Sequence, residues 1–206
     1  MTMDAKRVRM AAPERRAALL ERALRMFSEG SYRGTTTAEI AKAAGVTEPV
    51  LYRHFESKRA LFLACLEESW ARVRLLWDEA VAAESDPALR VRAMGLAYRD
   101  AQGLRSVISS LWIQALDEAS DDREIRRYMR RHMREVHDYV AGVHRRAQEA
   151  GGMLSARDPE VEAWIFVALG LLRAADDRLG GLAGELFPAI GASRFSWLTG
   201  AAPPPA

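Results

Sequence analysis

Residues 34–62 read GTTTAEIAKAAGVTEPVLYRHFESKRALF, the pattern of two short helices joined by a tight turn and followed at once by a longer helix. Thr36-Thr37-Ala38-Glu39 has the S/T-x-x-E form of a capping box, so Thr36 starts a helix and Glu39 closes its first turn. Ile40, Ala41 and Ala44 give that helix one small apolar face. Gly45 sits where a residue in the left-handed conformation stops it. Thr47 is placed to cap the second helix. Glu48 and Pro49 fall in its first turn, where an acid suits the helix dipole and a missing N–H costs nothing. Val46, Val50, Leu51 and Phe55 are expected to pack back on the first helix, and Ser57 to cap the third. This is the sequence shape of a helix-turn-helix, whose second helix enters the major groove of DNA.

Upstream, Pro13 is a fitting first residue for a bracing helix, with Ala17, Leu20, Leu24 and Phe27 at helical spacing and Gly30 at its end. Residues 1–12 have no periodicity and carry Lys6, Arg7 and Arg9. They read as a basic arm, suited to phosphates or the minor groove, or as a plain disordered terminus. Residues 1–60 hold 12 Lys/Arg against 7 Asp/Glu, a net +5, whereas the remainder holds 18 against 21, a net −3. A basic head on a mildly acidic body fits a chain that sets one end on a polyanion.

The 206 residues are enough for one or two small domains with a core. The single cysteine, Cys65, excludes an intramolecular disulfide and a cysteine-rich metal site, and its apolar neighbours predict a buried, inert thiol. The charged N-terminus lacks the apolar stretch of a secretory signal. The longest apolar run, Ala163 to Leu172, is ten residues, too short for a bilayer. A cytoplasmic protein with no membrane partner is expected.

Beyond Ser57 the chain reads as helices throughout. One long helix runs to about Glu84, with Leu61, Ala64, Cys65, Glu68, Val73, Leu76 and Trp77 near its buried side. Asp86-Pro87 marks a fresh start. Further helices are expected over 87–102, 104–119, from Asp121 or Asp122 to Ala150, and from Asp158-Pro159 to about Leu179. The stretch 182–198 is interrupted by Pro188 and Gly191 and reads as a broken or short helix. The Pro-rich tail after it has nothing to pack against. No alternating strand pattern and no internal repeat is present. The architecture is therefore all-α: a three-helix helix-turn-helix domain over 13–56, a helical bundle over 57–199, and a disordered tail over 200–206.

Two helices say more. After Pro159, Val161, Trp164, Ile165, Ala168, Leu169 and Leu172 form an apolar stripe, and the opposite side, Phe166, Val167, Gly170 and Leu171, is apolar too. Such a helix is buried on both sides, either centrally within a monomer or against a second copy, which makes those six stripe residues candidate dimer contacts. The helix from Asp122 carries Arg123, Arg126, Arg127, Arg130, Arg131 and Arg134 on one face. Asp122, Glu135 and Asp138, four residues from Arg126, Arg131 and Arg134, are expected to offset part of that charge and leave a solvated face.

Enzyme signatures are lacking: no GxSxG elbow, no Walker loop, no HExxH. His137 and His144 share a helix face but lie about 10 Å apart along it, too far for one metal. Neither a cofactor nor a metal is expected.

The stretch opened above resembles the N-terminal DNA-binding domain of the TetR/AcrR family of bacterial transcriptional regulators. The residues carrying the resemblance are Gly34, Thr35, Thr36, Ile40, Ala41, Ala44-Gly45-Val46-Thr47, Leu51-Tyr52, His54-Phe55, Ser57-Lys58 and Leu61, within residues 13–62. The chain departs from the family at Pro49, where a small residue, often Gly, is common. That difference lies inside the recognition helix and bears on which DNA sequence is read.

Thr36 and Thr37, at a helix N-terminus, are candidate phosphate donors. So are Tyr52, His54 and Lys58, which the resemblance also implies. Thr47, Glu48, Pro49 and Arg53 are candidate base readers: Glu48 accepts from cytosine N4 and Pro49 touches a thymine methyl. Glu48 also has a plainer reading as a helix-dipole partner. The resemblance implies a homodimer on a near-palindromic double-stranded operator and a body that senses a small molecule. Met94, Tyr98, Trp112, Met129, His132 and Met133 are the candidate pocket lining, with ordinary core packing as the alternative. The reading is a ligand-responsive repressor. Its rivals are an all-α ligand-binding or enzymatic protein that uses the motif only for packing, and an architectural DNA binder without an effector.

Overall fold

The computed structural model describes residues 11–184 and 186–203, and the described residues contain no strand. Among the described residues nine α-helices follow in order: α1 (Ala12–Glu29), α2 (Thr37–Ala43), α3 (Glu48–Tyr52), α4 (Lys58–Ala83), α5 (Arg90–Asp100), α6 (Gln102–Glu118), α7 (Arg123–Glu149), α8 (Pro159–Arg178) and α9 (Leu186–Thr199). A 3₁₀ turn over Pro87–Leu89 precedes α5. The contacts divide the chain into two compact units that meet in sequence at Cys65 and Leu66, inside α4. None of the described helices is long and apolar enough to cross a membrane. Of the arm read over 1–12, only Ala11 and Ala12 fall within the described residues, and Ala12 already opens α1.

The local chemistry of the first unit follows the capping rules. The Thr36 hydroxyl accepts from Glu39 N at 3.2 Å, and Glu39 Oε2 accepts from Thr36 N at 2.9 Å, which completes the capping box at α2. Gly45 follows α2 with φ of +69°, a conformation that a Cβ penalises. Thr47 takes the N-cap of α3 through its carbonyl, which accepts from Val50 N, and its hydroxyl makes no cap bond. Ser57 Oγ accepts from Ala60 N at 3.0 Å at the start of α4.

The core of this unit is Leu19, Leu20, Ala23, Leu24 and Phe27 of α1, Ile40, Ala41, Leu51 and Phe55 of the turn motif, and Leu61, Phe62 and Cys65 of α4. Phe27, Tyr32 and Phe62 meet ring to ring, with Phe62 at 5.3 Å from Phe27 and 4.7 Å from Tyr32. Ala17, expected on the inner face of α1, is exposed, and Leu19 and Ala23 take the buried stripe. The apolar periodicity of α1 is strong only from Leu19 onward.

In the second unit, Asp86, Asp122 and Asp158 each cap the following element by accepting a backbone N–H at 2.8–2.9 Å. Gly152 is required by packing: a Cβ there would lie 2.4 Å from Ala88 N and 2.6 Å from Pro87 C. α7 and α6 both pack on α8. The core joins Trp70, Val73 and Trp77 of α4 to Met94, Ile108, Val136, Val140, Ala163 and Val167. The segment expected as a broken or short helix is one unbroken helix of 14 residues, α9. Pro188 is its third residue, where a backbone N–H has no partner within the helix, so the ring costs little.

Candidate functional site

On the helix-turn-helix, Thr36, Thr47, Pro49, Tyr52 and Arg53 are exposed, Glu48, His54 and Lys58 are half-buried, and Thr37 is buried. Thr37 is held by its neighbours. Its hydroxyl donates to Glu48 Oε1 at 2.5 Å, and the Tyr52 hydroxyl lies 3.1 Å from it. The Thr37 proton is committed to Glu48, so Tyr52 is the donor of the second bond. This relay ties α2 to both ends of α3. Lys58 lies over the Tyr32 ring at 4.8 Å and donates to the Arg33 carbonyl at 3.3 Å. Hydrogen bonds from Thr36, with the Lys58 charge as a smaller contribution, hold the Glu39 carboxyl below the usual range. Together, Thr47, Pro49, Tyr52 and Arg53 form the exposed part of α3 and its caps.

The second unit holds a half-open cavity of about 990 Å³. Tyr98, Trp112 and His132 line it, as the sequence predicts, whereas Met94, Met129 and Met133 are not among its lining. Met94 and Met129 are buried core, 0% and 3% exposed, and Met133 packs against the same core half-buried. The walls that sequence reasoning missed are Trp70 and Trp77 of α4, Phe166 of α8 and Phe187 of α9. Trp70 and Trp77, seven residues apart on one helix face, were a legible signal. The α9 wall was not, because that segment read as a broken or short helix. Pro203, in the tail expected to pack on nothing, also borders the cavity while remaining exposed.

His132 is 1% exposed and sits among aromatic rings: Trp112 at 5.2 Å and Trp70 at 5.6 Å, both edge-on, and Tyr128 stacked at 5.7 Å. Burial, with a smaller contribution from the Arg131 charge, lowers its pKa from 6.5 to about 4, so the imidazole is neutral at physiological pH. Burial likewise raises the Tyr98 phenol, partly countered by its hydrogen bond with Ser109. Close by, Arg105 pairs with Asp177 at 3.1 Å, and Arg173 approaches the same carboxylate at 3.4 Å.

A third surface lies on α8 and α9. Val161, Trp164 and Ala168 are exposed, Ile165 and Leu172 are half-buried, and Leu169 turns toward the cavity and lines it. Trp164 is 46% exposed and stacks on His137 at 4.4 Å. Leu179, Leu182, Leu186 and Trp197 add further exposed apolar area. Buried Glu162 joins the two helices by accepting from Arg194 and, at 2.9 Å, from Trp197 Nε1.

His137, Asp138 and Glu160 bring ligand-type atoms within 4.8 Å of one another. Both imidazole nitrogens are already engaged, with Asp138 Oδ1 at 2.9 Å and the Glu160 carbonyl at 3.0 Å. On the arginine face of α7, only one of the three expected offsets forms, Arg131 with Glu135 at 3.5 Å. Asp122 is spent on capping and Asp138 on His137, while Arg126 donates to the carbonyls of Ala119 and Ser120.

Residues 19–65 match the family described as bacterial regulatory proteins, tetR family, and residues 87–171 match the C-terminal domain described as the BetI-type transcriptional repressor. The HTH-type transcriptional activator FasR of Mycolicibacterium smegmatis is 34% identical over 110 residues, covering 51% of this chain and 50% of that protein. The chain thus spans about half the length of this curated relative. A TetR-family regulator from Rhodococcus sp. shares the fold with a TM-score of 0.79 at 21% identity, covering 91% of this chain and 99% of that one. A regulator from Saccharomonospora viridis, solved in complex with choline, does so with a TM-score of 0.72 at 22% identity over 88% and 94% of the two chains. The helix-turn-helix at the front and the matched bundle behind it thus agree, and the chain belongs to the TetR family of bacterial regulatory proteins.

Proposed function

We propose that this protein is a cytoplasmic, homodimeric transcriptional repressor that binds a near-palindromic operator and is released from it by a small molecule. The observation that carries the reading is the pairing of a braced helix-turn-helix with a large aromatic cavity in one chain. Thr47, Pro49, Arg53 and Glu48 read bases, and Thr36, Thr37, Tyr52, His54 and Lys58 position the phosphates. Thr37 acts through its backbone N–H, because its hydroxyl is committed to Glu48. The exposed apolar residues Val161, Trp164 and Ala168, with Ile165, Leu172 and the neighbouring Leu169, form the dimer face, extended by α9. No catalytic role is assigned to any residue. The choline-bound neighbour supports an effector site in the body, and the match to a BetI-type repressor domain supports repression over activation.

The coupling follows from linkage. DNA holds two recognition helices at one spacing, and an effector that prefers another spacing weakens DNA binding by its differential affinity for the two states. α4 carries the chain from one unit to the other and is the element through which that preference passes. A screen of small molecules against the protein–operator complex tests this. The expected result is DNA release by compounds that lose their effect in Trp112→Ala while the unliganded variant keeps its operator affinity. Failure of every compound to release DNA would leave an architectural DNA binder.

A further inference from the structure

Among the described residues, the charged side chains that line the cavity are five guanidiniums, Arg92, Arg99, Arg105, Arg173 and Arg194, and one carboxylate, Asp100. Four of the guanidiniums are already met by a carboxylate of the protein. Arg99 bonds to Asp100 at 2.7 Å, and Arg194 is held by buried Glu162. Arg105 of α6 and Arg173 of α8 share the Asp177 carboxylate at 3.1 and 3.4 Å. Asp176 lies 3.8 Å from Arg173 as well. The fifth, Arg92, is not free either. An anion entering the cavity would have to break one of these pairs and strand its carboxylate. A cation would meet guanidiniums, with no lining carboxylate left to pair with it.

The remaining walls are apolar. Trp77 meets Trp70 at 5.7 Å and Phe166 at 5.5 Å, both edge to face, and Tyr139 stacks on Trp77 at 5.7 Å. These rings are turned toward one another and do not gather as the cage of open faces that holds an organic cation. Room is left on the helices too. Gly95 of α5 and Gly170 of α8 line the cavity, neither has a positive φ, and a Cβ on either would meet nothing within 4 Å. Glycine inside a helix is unfavourable relative to alanine, and here neither backbone conformation nor crowding calls for it. Both positions leave space in a cavity whose charges are spent.

We propose that the cavity binds an uncharged, lipophilic molecule, and that Asp177 sets this preference by neutralising Arg105 and Arg173. The molecule lies against Trp70, Trp112 and Phe166, in the space left beside Gly170. This names the ligand class of the effector site proposed above and rests on that reading only for its regulatory consequence.

Displacement of N-phenyl-1-naphthylamine, an uncharged fluorescent dye, from the full chain without DNA tests the assignment. Decanol, decanoate and decyltrimethylammonium serve as competitors that differ only at the head. The dye should bind, and decanol should displace it at a concentration about tenfold or more below that of either ion. Gly170→Leu fills the space and should weaken dye and decanol by about tenfold, with the circular dichroism spectrum unchanged. Asp177→Asn uncovers two guanidiniums and should strengthen decanoate by about tenfold while leaving decanol as it was. The ranking of the three competitors on the unaltered chain tests the ligand class even if Asp177→Asn misfolds. No binding of the dye, either ion competing as well as decanol, or full-strength binding by Gly170→Leu would overturn the proposal. Decanoate that stays as weak on folded Asp177→Asn would overturn the role given to Asp177. Uncharged compounds that bind as described but leave the operator complex intact would overturn the effector reading and keep the site. Operator release by an ion alone would do the reverse.

Discussion

The Thr37 hydroxyl donates to the Glu48 carboxylate across 2.5 Å, from the first residue of α2 to the first residue of α3. One side chain thereby fixes both the angle between the helices and the direction of a candidate base reader. Thr37→Val should cost about 1 kcal/mol, the net value of a typical hydrogen bond, measured by urea unfolding. It should also shift the DNA site selected from a random pool in the same direction as Glu48→Ala. An unchanged site in both variants would reduce Glu48 to a brace.

Lys58 sits beside the Tyr32 ring with its ammonium on the Arg33 carbonyl, so its charge is held at the start of α4. As a phosphate contact it adds affinity without sequence information. Lys58→Ala should weaken binding to all DNA sequences and reduce the slope of log K against log salt by about one unit. Fluorescence anisotropy at several salt concentrations measures this, and an unchanged slope removes Lys58 from the interface.

Trp164 is exposed on α8 and stacks on His137, so replacing it removes little from the core of a single chain. Trp164→Glu should give folded monomers at micromolar concentration, because a lone charge buried in an apolar interface costs on the order of several kcal/mol. Sedimentation velocity with circular dichroism separates monomer from misfolded chain. A Trp164→Glu dimer as tight as wild type would place the interface elsewhere.

His132 gives a pH dependence with a definite sign. Its pKa is lowered from 6.5 to about 4 on folding, so below pH 6.5 the unfolded chain binds a proton that the folded chain refuses. Stability is therefore full above about pH 6.5 and is lost as pH falls toward 4, by about 3 kcal/mol for this group. Burial lowers His144 as well, which adds in the same direction. Urea unfolding at pH 7.5 and pH 5 should show a smaller difference for His132→Phe than for wild type. Equal differences would mean that His132 is not held neutral.

What the sequence made legible follows from the range of the forces involved. Capping by Thr36, Ser57, Asp86, Asp122 and Asp158 is local chemistry, and each of these residues caps where its spacing indicates. The helix-turn-helix is a dense run of such local signals, so it reads without tertiary information. The cavity is different. Met94 and Trp112 carry the same apolar signal, yet one is sealed in the core and the other lines the cavity. Only the packing of α4 to α9 decides between them. Pro188 misled for a related reason, since a proline breaks a helix interior but not its first turn.

Selection of bound DNA from a random pool by the intact protein tests the central claim most directly. The account predicts enrichment of a single near-palindrome, with half-sites set by the separation of two recognition helices and with the enrichment lost in Trp164→Glu. A pool that stays unenriched, or that converges on a single asymmetric half-site bound equally well by the monomer, would contradict it.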